Sequence, residues 1–385
     1  MNILAVFISL PHPARVRCGR VQISFTPHLP KIQRDLRTNA PHDRSPLPLF
    51  PSNWHVIKYA AMLKAEAYPN LDLLRALAVL FVLFDHTATA LGFHTVGYVR
   101  FEWLGRTGVL FFFVHTCCVL MMSLERDSNI TRFCLRRAFR IYPLSIAAVI
   151  CAIPIVSLHP WEWISNLGLI QNLTFARDSF GSIWSLPLEV QMYFFLPFIF
   201  WFARKSIWIP LGLFAASTAI ARWQPHHVAR ASVLAFAPCF IPGVLAYWMF
   251  RNATPRLSAW FVAPAILTIT FVFLLRPNWT FSAWSACLVL ALLIPLFEQG
   301  TNVIVNRCGE TIAKYSYGIY LTHSVLLLWM TLTWKVLPLY LFAVALLSWG
   351  CYHAIEGPLI RVGKQMTASK QKRPLPEPEL SPGEA

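Results

Sequence analysis

The chain reads as an all-α, polytopic transmembrane helix bundle of about ten spans with no appended soluble domain. Three observations carry that reading. Apolar residues make up 56% of the 385-residue chain and charged residues only 13%, with 15 Trp among them. An ordinary soluble domain is nearer about 45–50% apolar. Apolar runs long enough to cross a bilayer then recur along most of the chain. Finally, the basic residues between those runs are distributed unevenly, as the positive-inside rule requires.

Taken in order, residues 1–61 show no sustained helical or strand period, and Asp35 and Asp43 are their only acids. MNILAVFISL lacks a basic start for a signal peptide. The segment is read as an unstructured extension, an Arg-rich targeting segment, or translated upstream sequence with Met62 as the initiator. The last is favoured, because the first span begins nine residues after Met62. A membrane unit over 62–361 follows, and the Lys-, Pro- and Glu-rich residues 362–385 are expected to form a disordered cytoplasmic tail.

Within the unit the candidate spans are 71–92, 107–124, 140–157, 187–203, 206–222, 231–250, 258–275, 280–298, 315–333 and 336–355. Arg204 and Lys205 leave only a tight turn between the fourth and fifth. With the start of the first span in the cytoplasm, sixteen Lys and Arg of the unit and tail fall inside and seven outside, so both ends of the unit are expected to be cytoplasmic. The net charge of +16 therefore needs no nucleic-acid partner. Topology accounts for much of it, and the rest suits anionic membrane lipids or a phosphorylated substrate. The nine cysteines fall mostly inside spans without metal-ligand spacing, so they are read as free thiols and no metal is expected.

Four clusters carry candidate chemistry. Arg75 and His86 both lie in LDLLRALAVLFVLFDHTATALGF. Eleven residues make about three turns plus 20°, so the two side chains share one helix face about 16 Å apart. A guanidinium in lipid costs at least about 2.5–3.5 kcal/mol, so the shared face is expected to point at a polar interior. Taken singly, Arg75 reads as snorkelling to headgroups and His86 as a packed core histidine. The second cluster is RFCLRRAFRIYP, where Arg136 and Arg140 lie at i and i+4 and Arg137 and Arg140 at i and i+3, a fork fit for phosphate. Positive-inside sorting alone would also put basic residues there. The third, SFGSIWSLPLEVQMYFFLP at the outer end of the fourth span, sets Glu189 among Trp184, Tyr193 and several Phe. Its carboxylate could hold a sugar hydroxyl, orient His86 or pair with Arg177, and Trp184 could serve as a carbohydrate platform. The fourth, KYSYGIYLTHSVLLL, puts Tyr317, Tyr320 and His323 at spacings of three. Asp85 is expected to point about 100° away from His86, leaving any orienting carboxylate to another span, with Asp72 or Glu189 as candidates.

These segments, with GRTGVLFFFVH, GETIAKYSYGIYLTHS and the terminal IEGPLIR, occur in the order of the acyltransferase-3 family of integral membrane acyltransferases, which the chain resembles over roughly 70–362. The resemblance implies an enzyme that moves an acyl group, usually acetyl, from a cytoplasmic acyl-CoA to a hydroxyl of a cell-envelope glycan or lipid-linked saccharide. It implies no permanently bound cofactor, with acyl-CoA as co-substrate, and a home in the bacterial inner membrane. By resemblance, Arg75 and His86 are the essential pair, Arg137 and Arg140 the basic pair, Glu189 the motif carboxylate, and Tyr317, Tyr320 and His323 residues near the same cavity. Arg75, Arg136, Arg137 and Arg140 would then hold the phosphates of CoA, with His86 as base or acyl carrier. One departure is HTCC after the FFV run, which adds His115 inside a span; it reads as the mark of a different acceptor that it helps bind, as a second proton-handling group, or as a packed histidine bonded to a backbone carbonyl. The expected machinery completes transfer within the membrane unit or hands the acyl group to a partner protein. The rival class is transport of a glycolipid, an acyl group or a proton-coupled solute, against which stands the lack of a recognisable inverted repeat.

Overall fold

The computed structural model describes residues 68–97, 99–223, 232–275 and 279–368. The readings made for residues 1–61, the Met62 start and the tail beyond residue 368 lie outside the described residues. Helix dominates what is described, because a bilayer leaves each backbone N–H and C=O to find its partner within the segment. The paired strands among the described residues are Thr95–Val96 and Val99–Arg100, an antiparallel ribbon in which Thr95 faces Arg100.

Every predicted apolar window holds a helix. These are α1 Pro69–Ala90, α2 Phe101–Arg126, α3 Ile130–Ala152, α5 Leu186–Ala203, α6 Trp208–Trp223, α7 Val233–Asn252, α8 Val262–Leu275, α9 Trp279–Leu293, α10 Val303–Trp329 and α11 Leu337–Cys351. Besides the one-turn helix Gln171–Thr174, the described residues add α4 Pro160–Leu167 in the loop before α5, and α12 Gly357–Met366 after a π-helical turn at Tyr352–Glu356. Local chemistry sets the starts. Pro69 occupies the first turn of α1, where its missing N–H costs nothing. Asn129 and Asn302 cap α3 and α10 by accepting from the backbone N–H groups of Arg132 and of Ile304 and Val305.

By length and apolar composition, five helical stretches can cross a membrane: Pro69–Ala90, Phe101–Arg126, Ile183–Ala203, Val233–Asn252 and Leu337–Met366. The other windows fall short for physical reasons. The first half of α3 carries Arg132, Arg136, Arg137 and Arg140, and that of α10 carries Arg307, Glu310 and Lys314, while α6, α8 and α9 are shorter.

The bundle is built around α2. Of its apolar window 78% is buried, against 17% for the α11–α12 stretch at the periphery. Around α2 pack α1 and α7, and α10 lies along the other side of α1. Gly108 permits the close α1–α2 approach: a Cβ there would sit 2.4 Å from the carbonyl oxygen of Ala78.

The α3–α5 connection is a folded lining rather than a simple loop. Glu162 of α4 accepts from the Arg177 N–H at 3.0 Å, the Arg177 guanidinium at 3.0 and 3.1 Å, and the His159 N–H at 2.9 Å. Asn166 donates to the Arg177 carbonyl at 2.8 Å and accepts from the Ser179 N–H at 2.9 Å. The segment then turns inward. Ser182 donates to the Tyr320 carbonyl at 3.1 Å, and the Tyr320 hydroxyl donates to the Ser182 carbonyl at 2.6 Å. Tyr320 lies nine residues short of the end of α10, about 13 Å at helical rise. Thus α5 starts inside the bundle, and Glu189, in its first turn as the predicted span places it, lies within the bundle rather than at its rim.

Candidate functional site

Two cavities lie one above the other along α1. The inner one, roughly 540 Å³ of space between atoms, is lined by Arg75, Arg140, Glu189, Tyr193, Ser316 and Tyr317 among others. The outer one, roughly 790 Å³, is lined by Asp85, His86, Glu102, Arg106, Ser182 and Trp184 among others. Val109 and Tyr320 line both and form the wall between them. Arg75 and His86, on one face of α1, therefore serve different chambers.

In the inner chamber Arg75 Nε donates to Ser316 Oγ at 2.7 Å, and its guanidinium lies 6.0 Å from the centre of the Phe112 ring. The Tyr193 hydroxyl donates to the Glu189 carboxylate. Tyr317 donates to the Ile141 carbonyl at 2.7 Å, which ties α10 to α3 two residues before Pro143. Arg140 Nη1 lies 3.5 Å from Glu356 Oε1. Glu356 is 1% exposed, and neither of its carboxylate oxygens has a hydrogen-bond partner. Two arginines and the Glu189 carboxylate thus line a partly aromatic space, with Glu356 against Arg140, where charge is expensive unless balanced.

In the outer chamber the His86 ring is held from behind. His86 Nδ1 lies 2.8 Å from His323 Nε2, and His323 Nδ1 lies 2.8 Å from the Ile319 carbonyl oxygen. A carbonyl only accepts, so His323 carries its proton on Nδ1. Neutral His323 then accepts at Nε2, and His86 must donate from Nδ1. That leaves the lone pair of His86 on Nε2, the nitrogen 3.8 Å from Asp85 Oδ2. Ser324 Oγ lies 3.1 Å from His323 Nε2 and secures the same pair.

Several sequence expectations change here. Asp85 does approach His86: the backbone positions diverge as helix geometry requires, but the Asp85 side chain folds across towards the ring. Among the described residues no carboxylate from another span pairs with His86, and His323 holds its ring instead. Glu189 sits in the inner chamber, and Arg177 is engaged by Glu162 rather than by Glu189. His323 is fully buried behind His86 rather than on a cavity surface. Arg136 turns from the chamber to Asp127, at 2.5 Å, and to the Arg132 carbonyl at 3.1 Å. Burial alone would push the Asp127 carboxyl up, yet the Asn129 N–H with Arg136 and Arg132 holds it below the usual carboxylate range. Arg137 lies over the Phe133 ring at 5.8 Å, with a buried Nε lacking a hydrogen-bond partner. His115, also buried and without a partner at Nδ1, lines neither chamber. Trp184 lines the outer chamber, and Tyr320 stands in the wall. Sequence reasoning missed Ser316, Ser182 and Glu356; the last stood in the quoted IEGPLIR, as an acid between apolar neighbours.

Residues 68–353 match the model of the acyltransferase domain family. A protein of Acidianus two-tailed virus, ORF330, provisionally named an acetyltransferase, is 25% identical in a 301-residue alignment that covers 73% of this chain and 89% of its own length. No solved structure matches the chain. With six ordered motifs, two polar chambers inside an apolar bundle and a family match over most of its length, the chain belongs to the acyltransferase-3 family of membrane acyltransferases and is an acyltransferase.

Proposed function

We propose that this acyltransferase moves an acyl group, acetyl by family default, from cytoplasmic acyl-CoA to a hydroxyl of a cell-envelope glycan or lipid-linked saccharide. The observation that carries the mechanism is the hydrogen-bonded line from His86 Nδ1 through His323 to the Ile319 carbonyl, which leaves His86 Nε2 as a base. The acceptor hydroxyl gives its proton to Nε2, and its oxygen attacks the thioester carbonyl. The carbon–sulfur bond breaks, and the thiolate leaves and takes up the proton. An imidazole that carries the acyl group for a time would use the same lone pair.

The inner chamber supports the donor side of this reading. Arg75 and Arg140 supply cations for the phosphates of CoA and donors for the amide oxygens of its pantetheine arm, with Arg137 nearer the cytoplasmic end of α3. In the outer chamber Trp184, Ser182 and Glu102 offer the stacking face and hydrogen-bonding groups that a saccharide needs. The ten helices act as ten spans of a bacterial-type cell membrane with both ends of the unit in the cytoplasm, supported by the bias of sixteen basic residues against seven.

The test is release of free thiol from acetyl-CoA by membranes carrying the wild-type protein or His86→Ala, with a cell-glycan extract supplied. At matched protein level, release should fall by about 10²–10⁴-fold in the variant. Equal release would remove His86 from the chemistry and bring transport forward.

A further inference from the structure

The Asp85 carboxylate is out of place for an ordinary buried acid. It is 5% exposed, and its hydrogen bond from Thr89 Oγ1, at 3.4 Å, is long. Its Oδ2 lies 3.8 Å from His86 Nε2, wider than a hydrogen bond. That spacing fits two lone-pair-bearing atoms facing each other with no proton between them, which is the arrangement the His323 line imposes. The neighbouring helix makes room for the acid. A Cβ on Gly105 would stand 2.1 Å from Asp85 Oδ2 and 2.8 Å from its Cγ, so only glycine lets the carboxylate occupy this seat.

We infer that Asp85, seated in the notch left by Gly105, is a positioning residue that stabilises the imidazolium formed when His86 Nε2 takes the acceptor's proton. The inference rests on the reading of His86 as the base. Once Nε2 is protonated, a carboxylate at this distance faces the new N–H and its positive charge, and a chamber with limited water makes that attraction stronger than in bulk solvent. The other charged or titratable groups around the ring are Glu102 and Arg106 from α2 and His323 and Tyr320 from α10. Arg106 lies over the Trp103 ring at 5.7 Å. Asp85 is the acid within ion-pair distance of the ring among the described residues.

The deciding measurement does not need the acceptor. The full-length protein in lipid nanodiscs is treated with diethyl pyrocarbonate, which modifies neutral imidazole, and modification of His86 is followed by peptide mass spectrometry as pH is varied. The His86 side chain is 31% exposed, so the reagent can reach it. Removing the carboxylate in Asp85→Asn should let His86 stay neutral to lower pH and move the midpoint down by about one pH unit. Gly105→Ala keeps the acid but fills its seat and should move the midpoint the same way, and combining the two should add little to Asp85→Asn. Thiol release from acetyl-CoA, run in parallel, should show a lower kcat with unchanged KM for acetyl-CoA in both variants. An unmoved midpoint in Asp85→Asn, with thermal unfolding like wild type, overturns the role of Asp85 whatever the thiol release does. Loss of thiol dependence on His86 with a shifted midpoint would instead overturn the acyl-transfer role of His86 and leave the Asp85–His86 pairing standing.

Discussion

The inner and outer chambers solve the same problem, charge inside an apolar bundle, in opposite ways. The inner chamber sets cations against carboxylates: Arg140 against Glu356, and Arg75 beside Ser316 with Glu189 in the same wall. The outer chamber uses a neutral line of two imidazoles ending on a backbone carbonyl. The difference teaches a division of labour. Fixed charges suit holding an anionic substrate, whereas a neutral, tautomer-locked ring suits moving a proton, because it changes charge only in the reaction itself.

If that division is real, substitutions in the outer chamber will act on kcat and those in the inner chamber on KM. The largest effect is expected for His86→Ala, with kcat for thiol release down by about 10²–10⁴-fold and acetyl-CoA binding retained. A KM defect of the same size would break the comparison. His323→Ala should follow, with kcat lowered by about 10–100-fold because the His86 proton is free to sit on either nitrogen. Its KM should stay put. Arg75→Ala should raise KM for acetyl-CoA by about 10–100-fold, roughly 1.4–2.8 kcal/mol of binding, with a smaller change in kcat. Titration of the variant with acetyl-CoA checks this, and an unchanged KM would place donor binding elsewhere.

Two smaller effects sharpen the picture. Glu356→Gln removes the charge facing Arg140 and should change KM for acetyl-CoA several-fold while leaving the His86 modification profile as it is. The last concerns the α3–α5 connection. The side-chain hydrogen bond from Arg177, with the backbone N–H groups of Arg177 and His159, holds the Glu162 carboxyl down at about 2. A depressed carboxyl contributes stability that is present above the unfolded value near about 4.3 and is lost as pH falls through the folded value. Thermal unfolding of the wild type should therefore weaken between about pH 4 and pH 2, and Glu162→Gln should flatten that dependence.

Much of this molecule was legible in the chain. The apolar windows matched helices because span length and hydropathy are local properties, and Arg75 and His86 stood out because charge in hydrocarbon is costly wherever it occurs. The inward turn of the α3–α5 connection was not legible. Glu189 was placed at the start of its span, but not the depth of that start, since nothing local tells a loop that ends at the surface from one that folds into the bundle to meet Tyr320. Arg136 likewise fitted a phosphate fork by spacing, but Asp127 one turn before α3 captured it, a choice between partners that spacing does not settle.

By itself the sequence determined the helical membrane class, the family and the two residues on which the chemistry is proposed to turn. Those follow from hydropathy, charge placement and motif order, all read along one dimension. The tertiary structure decided which chamber each residue serves and which nitrogen of His86 is free. His323 stands 237 residues from His86, and only the packing of α10 along α1 sets His86 Nδ1 2.8 Å from His323 Nε2. Asp85 reaches the same ring because Gly105, on a third helix face, has no side chain to stop it. Such contacts depend on the registry of packed helices and on rotamers chosen in a crowded interior, where the cost of an overlap of a few tenths of an ångström outweighs any local preference.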